Sequence, residues 1–387
     1  MRTLRDIKVF ENIPILVRAA LNVPVANGKV ANDYRLRRAA PTIRFLAERG
    51  ARVVLISHIG EQGTETLAPV AEALGNILPN VSFFGETVGE RVRGAVRSLL
   101  PGQVLVLENL RRNKGEQAND RTFARELAAL GDIFVEDSFD TCHRSHASIV
   151  GVPEFLPSYA GLLLEEEVLE LRDALAPKSP SLAVIGGAKF STKEGVLTAL
   201  LEIYDQVFVG GALSNDFFKA AGQEVGKSLV SSLSGSSVTA LVANPKLVLP
   251  VDSLVAPAAT LAAHPGVRVE TRIASLGQVR PDEIILDHGP GTSALLANLA
   301  QKANTVLWNG PLGNYENGFV DATDAFARAT ADSSAHSIVG GGDTVAAIEE
   351  LGLLPRFSFV STGGGAMLDF LVQGTLPGIK ALDKSAI

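Results

Sequence analysis

Nine short apolar runs, each followed at once by a polar or glycine-rich loop, constrain this chain more than any other feature. The runs show no polar alternation, and segments of helical periodicity separate them. Apolar runs of this kind are typical of strands buried on both faces of a parallel sheet. The alternation therefore predicts an α/β fold built from βαβ units with right-handed crossovers. The runs cover residues 13–17, 53–56, 104–107, 133–135, 182–185, 207–209, 306–308, 338–339 and 357–360.

The loops that follow these runs differ between the two halves of the chain. In the first half they carry basic side chains, whereas in the second half they are rich in glycine. Ligands of parallel sheets bind beyond the carboxyl ends of the strands. Glycine after a strand lets the backbone approach a phosphate closely and turn into a helix whose N–H groups face the anion. The layout predicts a two-lobed phosphoryl-transfer enzyme, with anion-binding side chains on one lobe and a backbone phosphate cradle on the other.

Two familiar nucleotide motifs are excluded. The segment at residues 222–228 resembles a P-loop but has one residue too few between its glycines, and it follows a helical pattern instead of a strand. The dinucleotide fingerprint GxGxxG is absent as well. The glycine loops must therefore form a nucleotide site of another kind.

Two charged residues beside the glycine loops are candidates for the chemistry. Lys189 lies three residues after Gly186 and could reach a transferring phosphoryl group, although it also fits an ordinary surface lysine. Asp343 follows three glycines and precedes a helical pattern, where it could hold Mg²⁺ against phosphate oxygens. Aspartate at that position also suits a helix N-cap, and the two roles are compatible.

Composition narrows the class of protein. The net charge of −7 argues against a nucleic-acid surface, which needs a basic stripe. The single cysteine, Cys142, excludes an internal disulfide and fits a reducing compartment. No apolar stretch approaches 18 residues, so we expect a cytoplasmic protein without a membrane segment. His264, His288 and His336 belong to no motif, and we expect them to be structural or exposed.

The best internal boundary is a helical pattern at residues 162–177, which carries three glutamates near its start, at 165–167, and is stopped by a proline-rich segment at 177–180. We interpret it as a hinge helix between two Rossmann-like lobes with parallel sheets, at residues 1–161 and 178–373. At 387 residues the chain is long enough for two such cores.

Motifs along nearly the whole chain, in order and with short gaps, resemble the phosphoglycerate kinase family. In the first half they are 18–24 (RAALNVP), 57–60 (SHIG), 107–111 (LENLR) and 137–148 (DSFDTCHRSHAS). In the second half they are 186–193 (GGAKFSTK), 308–313 (WNGPLG), 340–344 (GGGDT) and 361–366 (STGGGA).

The resemblance implies reversible phosphoryl transfer from 1,3-bisphosphoglycerate to ADP, giving 3-phosphoglycerate and ATP in glycolysis, with Mg²⁺ as the metal. It also implies a monomer, with residues 374–387 packed back on the first lobe. The implied acceptor-binding residues are Arg18, Asn22, Arg35, His58, Arg111 and Arg144. The implied nucleotide-binding residues are Gly187, Lys189, Lys193, Gly211, Asn309, Gly310, Pro311, Glu316, Gly341, Gly342, Asp343 and Thr344. Arg35 and Lys189 would be the catalytic pair beside the moving phosphoryl group, Glu316 would take the ribose hydroxyls, and Asp343 would hold the metal.

Four positions depart from the family pattern. Ala20 stands where the family carries Asp, Glu61 where it carries Arg, Asp140 where it carries Gly, and Gly291 where it carries Lys. The first three lie on the acceptor side and change the charge there by −2. We therefore expect nucleotide binding to survive and acceptor binding to be weakened or retuned. The alternative is a related protein that binds nucleotide but has lost turnover or acts on another carboxylate.

Overall fold

The computed structural model describes residues 1–231, 236–263 and 269–385. Within these residues the chain divides into two compact units. The first unit holds Met1–Leu169 together with the described residues from Thr375 onward, and the second holds Glu170–Gly374. Each unit has its own parallel sheet, so the predicted α/β class with two Rossmann-like lobes is confirmed. No helix in the described part of the chain is long and apolar enough to span a membrane.

The first unit is built on a six-stranded, all-parallel sheet. Its strands and one small antiparallel ribbon are β1 (Pro14–Ala19), β2 (Val25–Ala26), β3 (Lys29–Val30), β4 (Arg52–Ile56), β5 (Val81–Phe84), β6 (Val104–Leu107), β7 (Ile133–Asp137) and β8 (Ser158–Ala160). The sheet order is β5-β6-β4-β1-β7-β8, and β2 pairs with β3. The chain leaves β1 toward β4 and later returns to its other side at β7. The carboxyl ends of β4, β1 and β7 therefore surround the point where the strand order reverses, the usual ligand position in such sheets.

The second unit repeats this architecture and adds a small antiparallel sheet. Its strands are β9 (Ser181–Ile185), β10 (Gln206–Val209), β11 (Leu247–Val248), β12 (Asp252–Pro257), β13 (Arg272–Ser275), β14 (Glu283–His288), β15 (Thr305–Asn309), β16 (His336–Gly340) and β17 (Phe359–Val360). The parallel sheet has the order β11-β10-β9-β15-β16-β17, with its reversal between β9 and β15. The antiparallel sheet, β13-β12-β14, is inserted between β11 and β15 in the sequence.

Helices cover the sheets and bury one apolar stripe each. In α1, for example, Leu36, Ala39, Ile43 and Leu46 recur at helical spacing and are buried. The helices are α1 (Tyr34–Glu48), α2 (Ala68–Gly75), α3 (Glu90–Arg97), α4 (Lys114–Gln117), α5 (Arg121–Ala128), α6 (Leu162–Ala174), α7 (Glu194–Ile203), α8 (Leu213–Ala220), α9 (Ser236–Val242), α10 (Ala258–Ala263), α11 (Pro290–Lys302), α12 (Asp321–Ala331), α13 (Gly342–Glu350), α14 (Gly364–Gln373) and α15 (Pro377–Asp383).

Helix α6 ends three residues earlier than the sequence pattern predicts. It runs only to Ala174, and the boundary between the two units falls inside it, after Leu169. Pro177 disfavours helical geometry at the residue before it, so the chain leaves the helix ahead of the proline. The N-terminal end of α6 is held by Asp137, whose Oδ1 accepts hydrogen bonds from the amides of Leu163 (3.0 Å) and Leu164 (3.2 Å).

The structure also shows how a proline and the P-loop lookalike are accommodated. Helix α1 continues through Pro41 without interruption, because burial of its apolar stripe outweighs the loss of one backbone hydrogen bond. The P-loop lookalike lies in a loop after α8, where a Cβ on Gly226 would stand 2.2 Å from the carbonyl oxygen of Glu283. The amide of Lys227 also donates to that oxygen at 2.7 Å. The loop is thus packed against the antiparallel sheet by backbone contacts.

Candidate functional site

The first unit gathers five basic side chains near the carboxyl edge of its sheet. We call Arg18, Arg35, His58, Arg111 and Arg144 the cationic cluster. Arg18 lies on β1, and the others lie on α1 and in the loops after β4, β6 and β7. Their proximity is evident at His58, where burial and the charges of Arg18 and Arg111, with a smaller effect from Arg35, hold the pKa well below its usual value. Burial lowers the pKa of Arg111, and the positive charge of Arg144 lowers it further.

Arg18 is completely buried and fully engaged by the protein. Its Nε donates to Ser148 Oγ at 3.1 Å, and its Nη1 donates to the Ala19 carbonyl oxygen at 2.9 Å and to Ser57 Oγ at 3.2 Å. Its Nη2 lies 2.8 Å from Nδ1 of His58. Because each of the three guanidinium nitrogens has a protein partner, Arg18 orients its neighbours and contributes positive charge to the cluster.

His58 is held as a neutral imidazole with one defined tautomer. The guanidinium of Arg18 has only N–H donors, so Nδ1 of His58 must accept, which leaves the imidazole proton on Nε2. Burial and the surrounding positive charges lower the pKa of His58, so this state persists through neutral pH. His58 is thus a hydrogen-bond donor within a positively charged environment.

Backbone carbonyl oxygens orient the two arginines that flank Asn22. Arg35 Nη1 donates to the carbonyl oxygen of Asn22, and Arg111 Nη1 donates to that of Gly60, both at 2.5 Å. Asn22 Oδ1 in turn accepts from the amide of Gly60 at 3.2 Å. Arg111 is nearly buried, and its Nε has no hydrogen-bond partner. A buried N–H group of this kind is costly unless a ligand completes it.

Two of the four departures from the family pattern lie close to these arginines. Glu61 Oε2 lies 3.2 Å from Arg111 Nη1, and Asp140 Oδ2 lies 3.9 Å from Arg35 Nη1. Ala20 is buried, and its methyl side chain offers no hydrogen bond. The amide of Gly291 donates to Asp252 Oδ2 at 2.9 Å in the second unit, far along the sequence from this cluster.

Three further residues, Glu116, His146 and Ser148, support the cationic cluster and were not predicted as site residues. Ser148 Oγ donates to Glu116 Oε1 at 2.6 Å while it accepts from Arg18, so a buried carboxylate supports the arginine through one hydroxyl. His146 Nδ1 lies 3.9 Å from the same carboxylate oxygen. Burial and nearby arginines lower the pKa of His146 to about 4. Only the HRSHAS motif, in which His146 and Ser148 follow Arg144, offered a signal for these residues.

In the second unit several glycine loops enclose one cavity of ≈ 290 Å³. Of the residues predicted to bind nucleotide, five line it, namely Gly187, Gly211, Pro311, Glu316 and Asp343. Apolar side chains that the sequence did not single out line it as well, namely Leu229, Ile284, Leu286 and Leu312. A concave site with apolar walls and a few polar groups suits a planar base attached to a polar tail.

The glycines permit a close backbone approach where the sheet order reverses. A Cβ on Gly186, which follows β9, would lie 2.1 Å from the carbonyl oxygen of Pro311, which follows β15. Gly211 has φ +65°, and a Cβ there would lie 2.8 Å from the carbonyl oxygen of Gly187. Side chains at these positions would separate the loops, so the cavity wall requires glycine.

Four of the remaining predicted residues, Lys193, Asn309, Gly310 and Thr344, are joined by hydrogen bonds beside this wall. Lys193 Nζ donates to Asn309 Oδ1 at 2.9 Å, and the amide of Gly310 donates to Thr344 Oγ1 at 3.0 Å. Burial lowers the pKa of Lys193 to about 8. Gly341, with φ +104°, lies against this group, since a Cβ there would stand 3.4 Å from the amide nitrogen of Gly310.

Three charged candidates are exposed to solvent. Asp343 lies in the first turn of α13 directly after Gly342, and Glu316 lies in a single turn of 3₁₀ helix; both line the cavity. Lys189 is exposed in the loop after Gly187. The structure thus brings Asp343 and Glu316 to the cavity, whereas Lys189 lies on the adjoining loop.

His288 has a structural role at the cavity, one of the two roles expected for it. It is buried at the end of β14 and lines the cavity, with Nε2 accepting from the amide of Gly211 at 3.2 Å. Burial lowers its pKa to about 4, and its Nδ1 has no hydrogen-bond partner. No motif in the sequence distinguishes this histidine. His336 pairs with Glu170 at 2.9 Å, and His264 lies outside the described residues.

Comparisons with known proteins identify the family of the chain. The chain matches the family model described as phosphoglycerate kinase over residues 4–374. A phosphoglycerate kinase from Roseiflexus castenholzii is 42% identical, with 99% of both chains covered. One from Azorhizobium caulinodans is 43% identical, with 95% of this chain and 96% of the relative covered.

Solved structures give the same result. The phosphoglycerate kinase of Coxiella burnetii is 40% identical and superposes with a TM-score of 0.83, covering 99% of this chain and 98% of that one. The enzyme of Pyrococcus horikoshii is 30% identical with a TM-score of 0.86 at the same coverage. Sequence and fold agree over almost the whole length, and the chain belongs to the phosphoglycerate kinase family.

Proposed function

We propose that this chain catalyses reversible phosphoryl transfer from 1,3-bisphosphoglycerate to ADP, giving 3-phosphoglycerate and ATP. The observation that carries the proposal is that the chain contains both a cationic cluster, in its first unit, and a glycine-walled cavity, in its second unit. The relatives reported above are all named phosphoglycerate kinases, and none favours the alternative of a protein without turnover.

The cationic cluster has the charge and the donors that a phosphoglycerate needs. Arg35, Arg111 and Arg144 would bind its carboxylate and phosphate, because guanidinium groups match both anions in a bidentate manner. His58 would donate from Nε2. The buried Nε of Arg111 supports this assignment, since a bound anion would supply the partner it lacks.

The cavity of the second unit would take the nucleotide. Its apolar walls suit the base, Glu316 at the cavity wall would take the ribose hydroxyls, and the glycine loops would let the backbone approach the phosphates closely. Asp343 would hold Mg²⁺ together with phosphate oxygens, because this ion prefers oxygen ligands and is often bound by one or two carboxylates plus substrate. When bound, the ion would neutralise part of the phosphate charge.

In phosphoryl transfer the protein contributes mainly by positioning the substrates and by supplying positive charge. A loose phosphoryl-transfer transition state spreads negative charge over three equatorial oxygens, which donors and cations stabilise. Arg35 and Lys189 remain the predicted catalytic pair. Lys193, fixed by Asn309, would add a second cation on the nucleotide side.

The test is a coupled assay of 3-phosphoglycerate phosphorylation with MgATP, in parallel with calorimetry of ADP binding. We expect turnover, and we expect Arg111→Ala to reduce kcat/KM at least about a hundredfold, the effect of losing a charged donor pair at a buried site. Tight ADP binding without any detectable turnover or binding of 3-phosphoglycerate would contradict the proposal.

Three further expectations accompany the proposal. Helix α6 would act as a hinge, the protein would be cytoplasmic, and it would be a monomer. Size-exclusion chromatography with light scattering tests the last of these, and a dimer at micromolar concentration would contradict it.

A further inference from the structure

Two carboxylates lie close to arginines that bind the acceptor in the proposed function. Glu61 Oε2 is 3.2 Å from Nη1 of Arg111, and Asp140 Oδ2 is 3.9 Å from Nη1 of Arg35. Both pairs lie within the first unit. The two acidic residues come from different loops, after β4 and after β7, so they place negative charge on two separate members of the cationic cluster.

The hydrogen-bond geometry at Arg111 makes the carboxylate a direct competitor. Nη1 of a guanidinium carries two hydrogens. In Arg111 one of them is directed to the Gly60 carbonyl oxygen and the other to Glu61. An incoming carboxylate or phosphate that needs Nη1 for a bidentate contact must therefore displace Glu61.

The environment of Asp140 gives its charge more weight. Its side chain is only 6% exposed, whereas that of Glu61 is 80% exposed. Its Oδ1 accepts from Ser138 Oγ at 2.6 Å, which fixes the carboxylate in place. A charge held in a partly buried site is screened less by water and salt than an exposed one.

We propose that Glu61 and Asp140 are specificity-determining residues that compete with the anionic groups of the acceptor for Arg111 and Arg35. This inference rests on the proposed function, because it concerns the same acceptor site. The two carboxylates lower the affinity of the lobe for highly charged acceptors such as 3-phosphoglycerate. Asp140 is in addition a positioning residue, since it holds Arg35 close to the carbonyl oxygen of Asn22.

The experiment measures binding of 3-phosphoglycerate by calorimetry to the full chain and to Glu61→Gln, Asp140→Asn and the double variant. Glutamine and asparagine preserve size and an acceptor oxygen while they remove the charge. Glu61→Gln should tighten binding about two- to fivefold, because the exposed pair is weak. Asp140→Asn should tighten it about tenfold or more, because its charge is less screened.

A matched control removes the same charge elsewhere in the unit. Glu90 is exposed on α3 and pairs with Arg93 and Arg97, so Glu90→Gln changes the net charge equally without touching the cluster. It should leave the affinity within twofold of wild type. If Glu61→Gln and Asp140→Asn bind 3-phosphoglycerate no more tightly than this control, or more weakly, the competition model is wrong.

Steady-state kinetics separate the two carboxylates and also separate this inference from the proposed function. Glu61→Gln should lower KM for 3-phosphoglycerate with kcat unchanged, whereas Asp140→Asn should change both, since it frees Arg35. Active wild type with variants unaltered in affinity and KM would overturn the inference alone. Tighter binding in the variants without turnover in any of them would overturn the proposed function alone.

Discussion

Lys193 combines a half-buried ammonium group with a hydrogen bond to Asn309, so it loses part of its hydration in the free protein without full compensation. Burial lowers its pKa to about 8 from an ordinary value of 10.5. A bound polyphosphate would supply the missing negative charge. We therefore expect Lys193→Met to stabilise the ligand-free protein and, at the same time, to weaken nucleotide binding.

The magnitude follows from the two pKa values. A fall from 10.5 to about 8 corresponds to about 3 kcal/mol of unfavourable free energy below pH 8. Methionine has a similar length and carries no charge, but it leaves Asn309 without its donor, which costs about 1 kcal/mol. Because Lys193 is half-buried and solvent moderates the penalty, we expect a net gain of about 1–2 kcal/mol.

The gain should depend on pH in one direction. Between pH 8 and 10.5 the unfolded chain binds more protons at Lys193 than the folded chain does, so the stability of the wild type rises with pH in that window. Below pH 8 the penalty is complete and constant. The advantage of Lys193→Met should accordingly be largest at pH 7 and should shrink as the pH approaches 10.

The fluorescence of the only tryptophan offers the assay. Trp308 is completely buried in β15, in the same unit as Lys193, so its emission during urea unfolding reports on the relevant unit. The control is Lys246→Met, since Lys246 Nζ donates to carbonyl oxygens at the end of α7 and should give no such gain. No gain at pH 7, or an equal gain at pH 7 and 9.5, would refute the reasoning.

Three further predictions concern other parts of the chain. Burial raises the pKa of Asp137 to about 8, so the free energy of unfolding of the wild type should fall as the pH rises from 4 to 8. In urea unfolding, Asp137→Asn should lack the contribution of Asp137 to this pH dependence. An unchanged pH dependence in the variant would contradict the prediction. Gly211→Ala should destabilise the second unit by at least about 2 kcal/mol and reduce ADP affinity in calorimetry, because its φ is +65° and a Cβ would collide with backbone. Gly365→Ala, at an open position in α14, should instead be neutral or stabilising by about 0.5–1 kcal/mol, so equal effects would exclude the steric explanation. Ser148→Ala should cost about 1–3 kcal/mol in thermal unfolding, because it removes the hydroxyl between Arg18 and a buried carboxylate; a loss below 0.5 kcal/mol would show that this link is unimportant.

The apolar runs predicted the strands well wherever the strands are buried on both faces. The predicted runs at 104–107 and 182–185 correspond to β6 and β9, with ends that agree within one residue. Strand β5 was not predicted, because it lies at the sheet edge and its VSFF sequence is only partly buried. The β12–β14 sheet escaped as well, since its strands mix apolar with polar residues and its pairing depends on contacts distant in sequence.

The candidate site divides in the same way. Residues within three positions of a strand end, such as His58, Gly187 and Asp343, could be selected from the sequence because parallel strands direct their loops to one edge. Residues whose importance lies in a distant partner could not. Ser148 meets Arg18 across 130 positions, and His288 meets Gly211 across 77. The contacts of Glu61 and Asp140 with arginines likewise became visible only in three dimensions.

The contact between Gly186 and Pro311 has a consequence for how such a protein can change over time. At the centre of the second sheet, backbone meets backbone with no intervening side chain, so the same atoms that seal the two middle strands also shape the binding wall. A side chain introduced at this contact would both destabilise the second unit and change the shape of the binding wall, so the two properties cannot be altered separately. A change of ligand preference is therefore expected to begin at side chains that line the cavity, such as Leu229 or Tyr315, because their replacement leaves the contact between Gly186 and Pro311 intact.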